Sequence, residues 1–178
     1  MQWFKFDIND LNDLLYEKYF NLMGKERQEY VNSFKTESDR KRTVAGEMLI
    51  KVALCDDTLS ILRDEHGKPY IKDSKLYISI SHSADFAVCA IDEKPIGIDI
   101  EQIRNINLKT AEKFCNEKEL MYINECDGIS RFFEIWTAKE SAYKMIGGGI
   151  KNFKEIDTLK LNKDYFKFSD YTVCIVTE

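Results

Sequence analysis

The sequence predicts an α+β protein, and three observations carry that class. Two stretches, DRKRTVAGEMLIKVAL at 39–54 and SRFFEIWTAKESAYKMI at 130–146, repeat apolar residues at helical spacing. Short β-rich runs, LYISISHS, FAVCAID and PIGIDIE, follow one another between 76 and 101 with only tight turns between them. Each half of the chain thus holds one long helix and a few strands, an order that repeats without identity between the halves. Two lobes are expected, 1–94 and 95–178, acting as one unit.

Near the N-terminus, DINDLNDLLYEKYFNLM places Leu11, Leu14, Leu15 and Leu22 for an amphipathic helix. In the 39–54 helix, Val44, Ala45, Met48, Leu49, Val52 and Ala53 form one apolar face, with Ser38 and Asp39 as candidate N-caps. HGKPY at 66–70 is turn chemistry. The strands at 76–83, 86–92 and 95–101 come next, and a helical run is expected over about 109–126. The 130–146 helix stops at Gly147-Gly148-Gly149. KEIDTLKL and YTVCIVTE read as closing strands.

Composition bounds the function. A net charge of -5 argues against general nucleic-acid binding, although a local basic pocket for an anion remains compatible with it. The five cysteines make no C-x-x-C pair, which suits reduced thiols in the cytoplasm rather than a disulfide framework. The first residues, MQWFKFDIND, carry acids early and no long apolar run, so no signal peptide is expected there. No apolar run approaches the roughly 20 residues of a membrane span. A soluble cytoplasmic protein is expected, with no membrane and no nucleic acid among its partners.

PIGIDIE raises the functional question. On a strand, Ile96, Ile98 and Ile100 share one face, while Gly97, Asp99 and Glu101 share the other. Two carboxylates that close repel unless something positive lies between them. One reading is a solvated strand face; the other is a site for a hard divalent cation such as Mg2+. In the later helix, Trp136, Glu140 and Lys144 fall on one stripe at i, i+4 and i+8 after Phe133. Glu140 and Lys144 are either a surface i,i+4 pair or a third oxygen ligand and a phosphate contact. Lys139 lies just off the stripe and is expected to face water.

Two further segments carry candidates. In SISHS, Ser81 and His82 point to opposite strand faces, so they are no nucleophile–base pair, and no G-x-S-x-G is present. His82 is either a phosphate contact or a capped core histidine. In FCNEKEL, Asn116 and Glu119 stand as in a capping box, and the functional alternative for Glu119 is a general base at the mouth of a site. The triple glycine is no phosphate loop, because it follows a helix and G-x-x-x-x-G-K-[ST] is absent.

Taken in order, GKPY (67–70), ISHS (80–83), GIDIE (97–101) and FFEIWTAKESAYKMIGGG (132–149) resemble the 4′-phosphopantetheinyl transferases, most closely the large subclass that activates peptide synthetases and polyketide synthases. The resemblance implies transfer of the phosphopantetheine arm of coenzyme A to a serine of an apo carrier protein, with adenosine 3′,5′-bisphosphate as the other product. It implies Mg2+ on the coenzyme A pyrophosphate, held by Asp99, Glu101 and Glu140. It makes Lys144 a phosphate contact that assists the leaving group, and Glu119 the base. Arg42, Thr43, Lys68, Ser81 and His82 fall at coenzyme A positions, with Arg27 a looser candidate for the 3′-phosphate. The implied fold is a monomer of two similar lobes related by a pseudo-two-fold, with the site between them. The chain departs from the family at Ile71-Lys72, where many relatives have a second proline, and at Cys115, where a second aromatic is usual. It is also shorter than many members of the subclass. A non-catalytic module that binds coenzyme A or a carrier, and an unrelated Mg2+-dependent phosphoester enzyme, are the competing classes.

Overall fold

Residues 1–147 and 152–178 are described by the structure, a computed structural model. The chain divides into two units, Met1–Glu93 and Lys94–Glu178. Both are α+β, each with one antiparallel sheet and one long helix.

The first unit opens with β1 (Gln2–Asp7), a 3₁₀ turn at Ile8–Asp10, α1 (Asp13–Asn21), α2 (Lys25–Asn32) and α3 (Glu37–Ala53). β2 (Ile61–Arg63), β3 (Pro69–Ile71), β4 (Tyr77–Ser83) and β5 (Phe86–Asp92) follow. The sheet runs β1-β5-β4-β3-β2, every neighbour antiparallel. The apolar face of α3 explains its place. Val44, Ala45, Met48 and Leu49 are buried with Ile78, Ala87 and Cys89 in one core. Gly46 lets the helix come close, since a Cβ there would meet Ile80.

In the second unit β6 (Ile96–Gln102) leads through a 3₁₀ turn at Leu108–Lys113 to α4 (Glu117–Glu125) and α5 (Gly128–Ile146). After 3₁₀ turns at Phe153–Glu155 and Thr158–Lys160, β7 (Lys163–Phe168) and β8 (Tyr171–Thr177) complete a sheet of order β6-β8-β7. β6 pairs with β8 so that Asp99 lies opposite Cys174. α5 packs on β6 and β8. Gly97 allows that approach: a Cβ there would overlap the Ser141 carbonyl and press on the Met145 amide, both α5 backbone. Ser141 adds a hydrogen bond from its hydroxyl to the Cys174 carbonyl, 2.8 Å.

The structure departs from the sequence reading in several places. The halves are less alike than expected, with five strands in one sheet and three in the other. α3 is capped by Thr36, whose hydroxyl accepts from the Asp39 amide at 3.1 Å, instead of by Ser38 or Asp39. KEIDTLKL is not a strand. Asn152 and Asp157 accept from the amides of Lys154 and Leu159, and these local bonds wind the segment into 3₁₀ turns. α2 carries KERQEYVN, where only Val31 is buried, so no apolar stripe announced it. Gly147 ends α5 with φ 84, and its N–H donates a hydrogen bond to the Tyr143 carbonyl; Gly148 and Gly149 lie outside the described residues. Among the described residues no helix is long and apolar enough to cross a membrane.

Candidate active site

The acids of β6 face α5. Because Gly97 seats the strand on the helix backbone, Asp99 and Glu101 meet the stripe of Trp136, Glu140 and Lys144. The Lys144 ammonium donates to Oδ1 of Asp99 at 2.6 Å, and Asp99 is only 5% exposed. The Trp136 indole donates to Oε1 of Glu101 at 3.2 Å, and Arg104 reaches Oε2 at 3.5 Å. Burial, the Asp99 charge and, more weakly, the Glu101 charge push the Glu140 carboxyl up to about 6, against the pull of Lys144. Three carboxylates and one lysine therefore share one field.

The donor set suits a hard divalent ion in kind, being oxygen only with an excess of negative charge. Among the described residues no three His, Cys, Asp or Glu side chains are grouped so that they could hold a metal ion. Here Lys144 lies on Asp99 as counter-charge, and Trp136 and Arg104 engage Glu101. The raised Glu140 carboxyl has a consequence in metal-free protein. Its folded-state pKa exceeds the ordinary glutamate value, so between about 4.5 and about 6 the folded state binds more protons than the unfolded one. The contribution of Glu140 to stability is therefore greatest below that window and falls as pH rises through it. Thermal unfolding in chelator should show this fall in the unmodified protein and lose it in Glu140→Gln. A curve unchanged by the substitution would remove Glu140 from the shared field.

Next to Glu101 lies a cavity of about 490 Å³, with Arg104 beside it and Phe114, Phe132, Phe133 and Trp136 forming its apolar wall. Phe114 meets both Phe132 and Trp136 edge to face, with centroids 5.4 and 4.9 Å apart. The rings of the wall thus pack on one another, and Glu101 lies among the lining residues. Only the Trp136 and Phe133 part of this wall was legible as a stripe.

Glu119 is not at the mouth of a site. It is fully buried. Oε2 accepts from the Asn116 amide at 2.9 Å, completing the capping box of α4. Oε1 accepts from the amide and hydroxyl of Thr158 at 2.9 and 2.7 Å. Lys139 pairs with Oε2 at 2.8 Å and donates to the carbonyls of Phe153 and Ile156. Lys139 does not face water, as the sequence suggested; it is 0% exposed. The pair ties α4 and α5 to the segment around 153–158, and the lysine just off the stripe is thereby more enclosed than Trp136, Glu140 or Lys144 on it.

The first-unit candidates gather at the start of α3 and the end of β4. Arg42 donates to the Ala84 carbonyl at 2.8 Å, in the turn between β4 and β5, and pairs with Asp39. Thr43 is buried and donates to the Asp39 carbonyl at 3.0 Å. Thr36, Arg42 and, last, His82 hold the Asp39 carboxyl below the usual range, which puts His82 in the same neighbourhood. His82 is exposed and Ser81 buried, as alternation requires. Lys68 sits at the tip of the β2–β3 hairpin, whose Gly67 has φ 81. Burial there lowers its ammonium, opposed by Asp64. Arg27 turns elsewhere, onto Glu47 at 2.7 Å.

Two family models meet end to end on this chain. The one described as 4′-phosphopantetheinyl transferase superfamily matches residues 95–172, and the one described as 4′-phosphopantetheinyl transferase, N-terminal, matches residues 13–94. The chain belongs to the 4′-phosphopantetheinyl transferase superfamily. It is 34% identical over 151 residues to the 4′-phosphopantetheinyl transferase gsp of Aneurinibacillus migulanus, covering 80% of this chain and 63% of that protein. It is 28% identical over 158 residues to the 4′-phosphopantetheinyl transferase Sfp of Bacillus subtilis, covering 83% of this chain and 70% of that protein. A vertebrate relative, the L-aminoadipate-semialdehyde dehydrogenase-phosphopantetheinyl transferase of Xenopus laevis, is 27% identical over 79% of this chain and 57% of its own length. The chain thus spans less than two thirds of the gsp and Xenopus proteins.

Proposed function

We propose that the protein transfers the 4′-phosphopantetheine arm of coenzyme A to a serine hydroxyl of an apo acyl or peptidyl carrier protein, releasing adenosine 3′,5′-bisphosphate. The observation that carries this reading is Asp99 paired with Lys144 across a strand and helix seated together by Gly97, with the Glu140 carboxyl in the fields of Asp99, Lys144 and Glu101. Asp99, Glu101 and Glu140 would hold Mg2+. That ion would neutralise the pyrophosphate of coenzyme A and the charge that builds on it as the arm leaves. Lys144 donates to the phosphate oxygens once it is released from Asp99, and so stabilises the leaving bisphosphate. Arg42 and Thr43 bind the nucleotide end of coenzyme A, and Lys68, Ser81 and His82 are further coenzyme A contacts. The apolar cavity beside Glu101 receives the pantetheine arm, whose length is mostly methylene and amide.

The serine hydroxyl needs a base before it becomes a useful nucleophile. Glu119 takes that role in this reading only if Thr158 leaves Oε1, because all its acceptor sites are engaged. The protein is read as a cytoplasmic monomer with no membrane or nucleic-acid partner.

The test is incubation with coenzyme A, Mg2+ and a panel of apo carriers, followed by intact-mass analysis. The expected result is an adduct of the phosphopantetheine mass on at least one carrier. Glu140→Gln, which keeps shape and loses the charge, should cut the rate by about a hundredfold or more, the scale of one electrostatic contact in a transition state. Asp99→Asn should do the same. Tight coenzyme A binding with no adduct on any carrier would favour the binding-module reading instead, and release of inorganic phosphate would favour an unrelated phosphoester enzyme.

A further inference from the structure

Thr172 stands on β8, the middle strand of the second sheet, directly opposite Glu101 of β6 and Lys167 of β7. Side chains paired in this way have Cβ atoms about 4.5–5.5 Å apart on one sheet face. An acid, a hydroxyl and an ammonium therefore form one row across the sheet, on the side that carries Asp99 and packs on α5. Thr172 is 0% exposed, and its Oγ1 has no hydrogen-bond partner among the described residues.

A buried hydroxyl without a partner costs free energy that a methyl group of the same shape does not. This arrangement of the site gives threonine no advantage over valine at position 172. The hydroxyl gains one when a neighbour turns toward it, and its two neighbours differ. Lys167 is a donor only, and its ammonium is held by Oε1 of Glu134 at 2.7 Å and by the Ser130 hydroxyl at 2.9 Å. Glu101 is an acceptor with about four lone-pair sites. Trp136 and Arg104 reach it over 3.2 and 3.5 Å, whereas Lys144 grips Asp99 at 2.6 Å. Among the described residues no three acids are grouped to take an ion, so loading one requires an acid to turn. Of the two strand acids, Glu101 turns more readily: its contacts are longer, and its side chain is 23% exposed against 7% for Asp99.

We propose that Thr172 is a positioning residue for Glu101: its hydroxyl donates to the Glu101 carboxylate when coenzyme A and its cation are bound, and so fixes which way that carboxylate points. The inference rests on the proposed use of Glu101 as an ion-binding acid. Thr172 touches no substrate atom itself.

The test is thermal unfolding of the unmodified protein, Thr172→Val and Thr172→Ser under three conditions: no ligand, coenzyme A in chelator, and coenzyme A with Mg2+. Without ligand, Thr172→Val should raise the midpoint by about 2–4 °C, the scale of removing one unsatisfied hydroxyl from a chain of this size. Its further rise with coenzyme A in chelator should match that of the unmodified protein. The extra rise on adding Mg2+ should shrink, by the amount that corresponds to about tenfold weaker binding, as for a lost hydrogen bond to a charged group. Thr172→Ser keeps the hydroxyl and should keep the Mg2+ increment, whatever its missing methyl does to the ligand-free midpoint. A ligand-free midpoint lowered by Thr172→Val would show that the hydroxyl already serves the fold, and would overturn the proposal. So would an unchanged Mg2+ increment, or an equal loss with and without Mg2+. An unmodified protein that gains nothing from Mg2+ overturns both the proposal and the metal reading beneath it. Transfer to carriers is a separate readout: its absence, with the Thr172→Val pattern present, sinks the enzymatic reading alone.

Discussion

Gly97→Ala is expected to lower stability by about 3 kcal/mol or more, at the upper end of the cost of overpacking a core, and to abolish transfer. The added methyl would lie on the Ser141 carbonyl and the Met145 amide, and neither is a side chain that can rotate away. Relief requires β6 to part from α5, which also separates Asp99 from Lys144. Gly46→Ala is the matched control. Its methyl would press on Ile80 Cγ2 at 2.6 Å, a side chain that must shift but is not backbone, and the substitution gains helix propensity within α3, so a loss of about 1–2 kcal/mol, clearly smaller than that of Gly97→Ala, is expected. Urea denaturation of both variants, with transfer measured on the folded fraction, checks the pair. Equal behaviour of the two would mean that the strand–helix contact is looser than this geometry.

Lys139→Met should cost about 3–5 kcal/mol, the range for removing one partner of a buried ion pair. The loss has two parts: Glu119 keeps its charge out of water without its cation, and the carbonyls of Phe153 and Ile156 lose their donor. Against a typical total of about 5–15 kcal/mol, that leaves a marginal second unit. Adding Glu119→Gln should restore part of the loss, because the orphaned charge disappears; the recovery is incomplete, since the single glutamine oxygen can keep the Asn116 or the Thr158 amide as its donor but not both. Denaturation of both variants reads this directly. A loss under about 1 kcal/mol for Lys139→Met would mean that water reaches the pair.

Much of the fold was legible because the apolar spacing is regular. The faces of α3 and α5, and the alternation of β4 to β6, are set by buried residues at fixed intervals. Elements with little buried surface were not legible: α2 buries one side chain, and β7 mixes lysine with aromatics along KDYFKF. At the site, residue type named Asp99, Glu101, Glu140 and Lys144, but not which charges pair. The spacing offers Lys144 either Glu140 at i,i+4 or a phosphate, and its ammonium instead crosses to Asp99 on the neighbouring strand. Lys139 misled for a related reason. A lysine in a helical sequence shows its charge and not its neighbours, and its partners come from α4 and from carbonyls 14 and 17 residues along the chain. Arg27, Glu47 and Arg63 are 16 and 20 residues apart in pairs, on three elements, so no local pattern joins them.

The ammonium of Lys144 on Asp99 has a thermodynamic corollary for how ligands load. A divalent ion arriving at Asp99 must evict a resident monovalent one, so its solitary affinity is discounted by the work of that eviction. A polyanion arriving alongside gives the displaced lysine a new partner and refunds the work. Ion and polyanion should each bind more tightly in the presence of the other, by the same factor in both directions.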